Sequence, residues 1–167
     1  AQHADLPAAS SWSTLKVIDR IPVVPGKVED RDAWFRLDTG ATGYVTLHAS
    51  AVEKWKLLEG RETTDIKLGG VGGFVQGKAG TLTSIELGGV RRENVKASFA
   101  IEKKGTFATD KFDGNVGAEL IRPFIVVLDY TNQRVAFVPH RAEKAADAEA
   151  AGEADSTAPA DRSAAGQ

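Results

Sequence analysis

Ala33-Trp34-Phe35-Arg36-Leu37-Asp38-Thr39-Gly40-Ala41 is the stretch that decides the fold. Ala33, Trp34, Phe35 and Leu37 give it the apolar character of a buried strand, and that strand ends on a carboxylate, a hydroxyl and a glycine. Asp and Gly are ordinary turn formers at such a place. A given tripeptide also turns up by chance in roughly one chain in thirty of this length, so its neighbours must supply the meaning. A carboxylate there has a second use. Two of them held together share a proton, and one accepts a proton while the other donates one. The chain carries Asp-Thr-Gly once, so such a pair needs a second loop from elsewhere.

Outward from Asp38 the pattern stays that of short strands. Upstream, residues 15–19 and 21–24 are apolar and β-branched, and Pro25-Gly26 reads as a turn. Downstream, residues 45–47 form a short strand. Ser50-Ala51-Val52-Glu53 then has capping-box spacing, which predicts a helix through about Trp55 with Ser50 as its cap. Residues 63–68 and 74–79 flank a glycine cluster as one hairpin, and residues 81–87 and 95–101 flank Gly88-Gly89 as another. A loop over 103–113 leads to Gly117, a short helix over 118–122 stopped by Pro123, and strands over 124–130 and 135–138 around a turn. Short, evenly spaced strands with glycine-rich turns predict an all-β closed or sandwich-like sheet.

Composition sets the limits. With 167 residues, 42% of them hydrophobic, the chain can build one core. We expect a loose N-terminal segment over 1–13, a domain over 14–140 and a tail over 141–167. The tail is mostly Ala, Glu, Asp, Ser and Gly without an aromatic or large aliphatic residue, so it cannot offset its ordering entropy and reads as disordered. A net charge of −2 gives no basic surface for nucleic acid. The longest apolar run, Phe124 to Leu128, is too short to cross a bilayer. Absence of Cys excludes disulfides, thiol catalysis and zinc–thiolate sites. The chain has no Met even at position 1, which fits a removed signal peptide, and hence a periplasmic or secreted protein, as well as a trimmed boundary.

Three separated segments carry a resemblance. The first is Phe35-Arg36-Leu37-Asp38-Thr39-Gly40-Ala41; the second is Leu68-Gly69-Gly70-Val71-Gly72-Gly73-Phe74-Val75. The third is Asn115-Val116-Gly117-Ala118-Glu119-Leu120 with the strands over 124–129 and 134–139. In this order they resemble one lobe of the aspartic protease fold, in its single-lobe, retroviral-type (retropepsin-like) branch with its bacterial-type aspartyl proteases. The resemblance implies a closed single-lobe β-barrel with one or two short helices. It makes Asp38, Thr39 and Gly40 the catalytic loop, with the Thr39 hydroxyl reaching to the partner lobe. It makes Gly69, Gly70, Val71, Gly72 and Gly73 a flap whose amides contact an extended peptide, and places Ala41 and Thr42 against substrate. Gly40 and Gly117 would leave room where backbones approach closely. No metal or organic cofactor is implied. Pepsin-like lobes usually carry a hydroxyl at the Ala41 position, where it favours the charged catalytic carboxylate. Ala41 cannot supply it, so we expect activity at mildly acidic to near-neutral pH.

The other motifs read as structure. Gly72 to Lys78 has P-loop spacing, but Ala79 stands where a hydroxyl should meet magnesium, and strand follows instead of helix. Asp129 suits a turn, and Asp110 and Asp113 suit a solvated loop. His3, His48 and His140 lack metal spacing, and His48 starts the short helix. Ser50 lacks the elbow of a serine hydrolase. Trp34, Trp55 and Phe74 read as core or flap packing. Asn115, where the family usually has an apolar residue, needs a hydrogen-bond partner. The expected function is an aspartic endopeptidase acting on polypeptides as a homodimer, with one Asp38 from each protomer. The alternatives are one lobe of a two-lobe enzyme, inactive without its second protease lobe, and a non-catalytic peptide-binding module.

Overall fold

The computed structural model describes residues 12–70 and 73–139; the expected tail and most of the expected N-terminal segment lie outside them. The strands are β1 (Trp12–Thr14), β2 (Lys16–Ile18), β3 (Ile21–Val28), β4 (Arg31–Leu37) and β5 (Val45–Leu47), followed by helix α1 (Ala49–Lys54). Then come β6 (Thr64–Gly70), β7 (Gly73–Leu87), β8 (Val90–Ala100), a 3-10 turn (Gly105–Phe107) and β9 (Gly114–Val116). Helix α2 (Ala118–Ile121), β10 (Phe124–Asp129) and β11 (Arg134–Pro139) complete the order. Trp12 and Ser13 pair with Ala136 and Val135, so ordered strand begins before the boundary expected at residue 14.

One sheet runs β2-β3-β4-β9-β5-β8-β7-β6, and β3 also pairs with β7, which closes six of its strands into a barrel. The closure runs through Gly26, opposite Leu87. A Cβ on Gly26 would stand 2.5 Å from the Glu86 carbonyl oxygen, so a side chain there would push the seam apart. Pro25-Gly26 is therefore strand, contrary to the expected turn. Pro25 falls between Val23, the last paired residue facing β2, and Gly26, the first facing β7, where a missing N–H costs least. The turn lies instead at Glu29-Asp30, with φ of 49° and 67°, the primed geometry that matches the twist of a hairpin. Gly88-Gly89 turns as expected, with φ of 62° and 80°.

Two further expectations change. The segments either side of Gly80 are one strand, β7, whose early half pairs with β6 and whose late half pairs with β3. Gly77 and Gly80 sit within it because neighbours crowd them: added Cβ atoms would meet Leu68 Cδ1 at 2.7 Å and the Glu62 carbonyl at 3.0 Å. Helix α1 starts at His48, as expected, but Ser50 does not cap it. The Ser50 hydroxyl donates to the Thr109 carbonyl at 3.3 Å and ties the helix to the loop before β9.

The barrel interior is filled by alternate residues of these strands. Phe35, Leu47, Leu82, Phe99 and Val116 are all fully buried. Each large side chain withdrawn from water in this way contributes about 1.5–3 kcal/mol. Phe35 lies under the closing seam, against Gly26. A smaller cluster of Ala49, Leu68, Val75, Ala100 and Phe107 packs against the β6–β7 hairpin near its turn. A second sheet, β1-β11-β10, covers one side, with Phe124 and Phe137 joined edge to face at 5.5 Å. Among the described residues no helix is long and apolar enough to cross a membrane.

Candidate active site

Alternation along β4 sends Ala33 and Phe35 into the core, which leaves Trp34, Arg36 and Asp38 on the other face. β4 lies parallel to β9 in the register Phe35↔Gly114, Arg36↔Asn115, Leu37↔Val116, and the Asp38 amide donates to the Val116 carbonyl at 3.0 Å. The loop after Asp38 is tied to the start of α2. Ala118 N–H donates to Ala41 O at 2.9 Å, Glu119 N–H to Gly43 O at 3.0 Å, and Gly117 N–H to Tyr44 O at 2.8 Å. Gly117 is required for this contact, since a Cβ would stand 2.5 Å from the Gly43 carbonyl. Gly40 differs from the expectation: a Cβ there meets nothing nearer than Asp38 Oδ1 at 3.6 Å, an ordinary contact. Nothing in this one protomer crowds it.

Asp38 opens onto a cleft of about 450 Å3 lined by Arg36, Ala41, Thr46, Gly69, Gly70 and Asn115, among others. Larger hollows exist, one of about 720 Å3 beside Tyr44, Glu62 and Lys96, but they lack the strand-end carboxylate and the glycine hairpin. The Asp38 carboxyl is 31% exposed, and Arg36 Nη2 donates to its Oδ2 at 3.1 Å. Thr39 and Thr42 are exposed and stand outside the cleft lining, and the Thr39 hydroxyl makes no hydrogen bond among the described residues.

The β6–β7 hairpin brings Gly69 and Gly70 to the cleft, with Gly70 opposite Gly73 in register. Gly70 lies close against the 3-10 turn; a Cβ on it would meet Thr106 Oγ1 at 2.7 Å. Gly73 has φ of 113°, which suits glycine and strains any other residue. Val71 and Gly72 lie outside the described residues. Phe74 is 78% exposed, so it does not pack in the core; its ring lies against Gly69 on the hairpin face. Trp34 is half-buried with the Lys16 ammonium 3.4 Å from its ring centre, and Trp55 packs at the edge of the core.

Asp110 is exposed, but Asp113 is not the solvated loop residue expected. Its Oδ2 accepts the Trp34 amide at 2.8 Å, and its backbone N–H donates to the Trp34 carbonyl at 2.8 Å. The partner that Asn115 needs is His48, whose Nε2 lies 3.1 Å from Asn115 Oδ1. Both are buried, His48 completely. Burial pushes the His48 imidazole below its ordinary value, against the opposing pull of Asn115, the Thr109 carbonyl and Asp113. Nδ1 has no hydrogen-bond partner among the described residues, and burial favours the neutral form of the ring. The His48–Asn115 pair was not legible, because 67 residues separate its members.

A strand-end carboxylate, a tethered loop and a glycine hairpin over one cleft match a known pattern. The family model for aspartyl proteases covers residues 24–120, more than half of the chain. The chain belongs to the aspartyl protease family. As such it is a hydrolase of aspartic endopeptidase type. A retropepsin-like aspartic protease from Rickettsia conorii is similar in fold, with a TM-score of 0.50 at 21% identity over 75% of this chain and 93% of that one. The EIAV protease complexed with the inhibitor HBY-793 matches at a TM-score of 0.46 and 18% identity, over 64% and 90%. No curated protein matches the chain. The barrel of this aspartyl protease is accordingly of the retropepsin-like kind.

Proposed function

We propose that the chain is one protomer of a homodimeric aspartic endopeptidase in which two Asp38 carboxylates face each other across a two-fold axis. The supporting observation is that, among the described residues, the cleft is lined by a single carboxylate, Asp38, on a loop fixed from behind by β9 and α2. One carboxylate cannot be both base and acid in the same step. Two fold-related copies can, because like charges so close share one proton.

The ionised Asp38 takes a proton from a water whose oxygen attacks the scissile carbonyl carbon, while the protonated Asp38 gives its proton to the carbonyl oxygen. As the resulting diol collapses, the C–N bond breaks, the amine leaves with a proton from one Asp38, and the other Asp38 takes a proton from a diol hydroxyl, which restores the shared proton. Gly40, uncrowded in one protomer, leaves space for the facing loop, and the exposed Thr39 hydroxyl is available to bond across it. Gly69, Gly70 and Gly73 give the hairpin backbone that would close over an extended polypeptide. β10, at the edge of its sheet among the described residues, with Ile125 53% exposed, is a surface on which a second protomer could add.

The test is cleavage of an unbiased peptide mixture by the purified chain at high micromolar concentration, from strongly acidic to neutral pH, with Asp38→Asn alongside. Cleavage by the wild type alone, rising with the square of concentration where protomers dissociate, is the expected result. Cleavage by both chains would remove Asp38 from the chemistry. Cleavage by neither would favour a lobe that needs a different partner.

A further inference from the structure

The chemistry just described gives Arg36 no task. It stands two residues before Asp38 on the same face of β4, with a side chain 17% exposed. Its guanidinium carbon lies 5.8 Å from the Phe112 ring centre, and its Nε is buried without a hydrogen-bond partner among the described residues. In one protomer Asp38 neutralises it. In a dimer the charges no longer balance. Two Asp38 carboxylates sharing a proton carry one negative charge, whereas two guanidiniums stay protonated. Counted over the two Arg36–Asp38 pairs alone, one positive charge is left over; the Asp113 carboxylate is engaged by the Trp34 amide at 2.8 Å.

Asn115 stands next to Arg36. Arg36 is in register with Asn115 across β4–β9, and Asn115 with Thr46 across β9–β5, so the three form a row, and all three line the cleft. Asn115 Oδ1 can only accept, so His48 Nε2 is the donor between them. The ring is held edge-on to Phe107 at 5.9 Å and tilted against Phe112 at 5.2 Å. With its oxygen engaged by this fixed donor, the amide of Asn115 has its NH2 left to offer. The row thus offers a guanidinium, an amide NH2 and a hydroxyl, a donor set that suits a carboxylate and leaves an apolar side chain unrewarded.

We propose that Arg36 and Asn115 form a carboxylate-binding subsite, and that this enzyme cuts peptides beside Asp or Glu. The proposal rests on the homodimeric endopeptidase reading. A substrate carboxylate entering the row takes N–H bonds from Arg36 and Asn115 and balances the surplus charge. An apolar side chain in the same place leaves a cation desolvated once the hairpin covers the cleft.

The test uses peptide pairs identical except for Glu or Gln beside a bond that the enzyme cuts. The Glu peptide should be cut about tenfold faster in kcat/KM, the size of one charge-assisted hydrogen bond. Arg36→Leu and Arg36→Gln should each bring the Glu-to-Gln ratio close to one, and Arg36→Lys should keep part of it. A ratio near one in the wild type, or an unchanged ratio in Arg36→Leu, overturns the proposal. Should the wild type cut nothing, the endopeptidase reading falls separately. Calorimetric titration of the wild-type chain with extended peptides that differ only by Glu or Gln then judges the subsite: tighter binding of the Glu peptide that Arg36→Leu abolishes supports it, and equal binding of the two overturns it.

Discussion

Asp38 and Asp129 each end a strand, and each has an arginine beside it, yet the molecule treats them differently. Asp129 accepts from the Asn132 amide at 3.1 Å, Asn132 Nδ2 at 2.8 Å and Arg134 Nε at 2.8 Å. The Asn132 side chain, then Arg134 and the Asn132 amide, hold its carboxyl down to about 2. Arg134 is itself placed, 4.2 Å from the Trp12 ring centre. Among the described residues the Asp38 carboxyl accepts one hydrogen bond, from Arg36, and the residue lines a cleft. A carboxylate saturated by its own turn is structure. One left with vacant acceptor sites beside a hairpin can do chemistry.

The largest effect that would break this contrast is functional. Asp38→Asn should lower peptide cleavage about a thousandfold or more and leave the thermal midpoint unchanged. Asp129→Asn should do the reverse, keeping activity per folded molecule and lowering the midpoint. An Asp129 variant that lost cleavage while fully folded would end the distinction. Next comes Gly117→Ala, whose added Cβ meets backbone oxygens at 2.5 and 2.9 Å. Overpacking of this kind costs about 2 kcal/mol, and because it displaces the loop after Asp38 it should reduce kcat as well, seen by denaturant titration and kinetics together.

A third test uses pH. The His48 imidazole is depressed by burial, so the unfolded chain binds more protons than the folded one below the ordinary imidazole value. Its contribution to stability should be full above pH about 6.5 and decline as the pH falls below it. His48→Phe should flatten that slope in a series of melting curves. Asp129 works in a lower window, with its contribution full above 3.8 and lost as the pH falls toward about 2. The smallest effect is expected for Ala41→Ser. Its added hydroxyl should move the acidic limb of the pH–rate profile down by about one unit, and no movement would separate Ala41 from the tuning of the pair.

Much of this was legible because it is local. The strand into Asp38, the Gly88-Gly89 turn, the helix after Gly117 and the final hairpin all announce themselves within a few residues. The errors share a cause. Pro25-Gly26 and Gly80 look like breaks, yet each lies in a strand because a distant segment approaches: β7 at the barrel seam, and the Glu62–Thr63 backbone beside Gly80. Turns at Asp19-Arg20 and Glu29-Asp30 take positive φ without a glycine, so composition hides them. The polar row behind the carboxylate was half visible. Asn115 stood out as an amide in an apolar place, but its partner His48 and its neighbour Arg36 meet it only through tertiary pairing.

The parallel pairing of β4 with β9 sets a condition on when the enzyme can act. Residues 35–37 meet residues 114–116 across nearly the whole length of the barrel, and the loop after Asp38 is secured only when α2 has formed behind it. Contacts so far apart in sequence form late and slowly. A chain still emerging from the ribosome, released through residue 100, has its Asp-Thr-Gly exposed but nothing to hold it in place. Such a chain lacks the fixed loop, so any chemistry that Asp38 performs has to wait for the completed barrel.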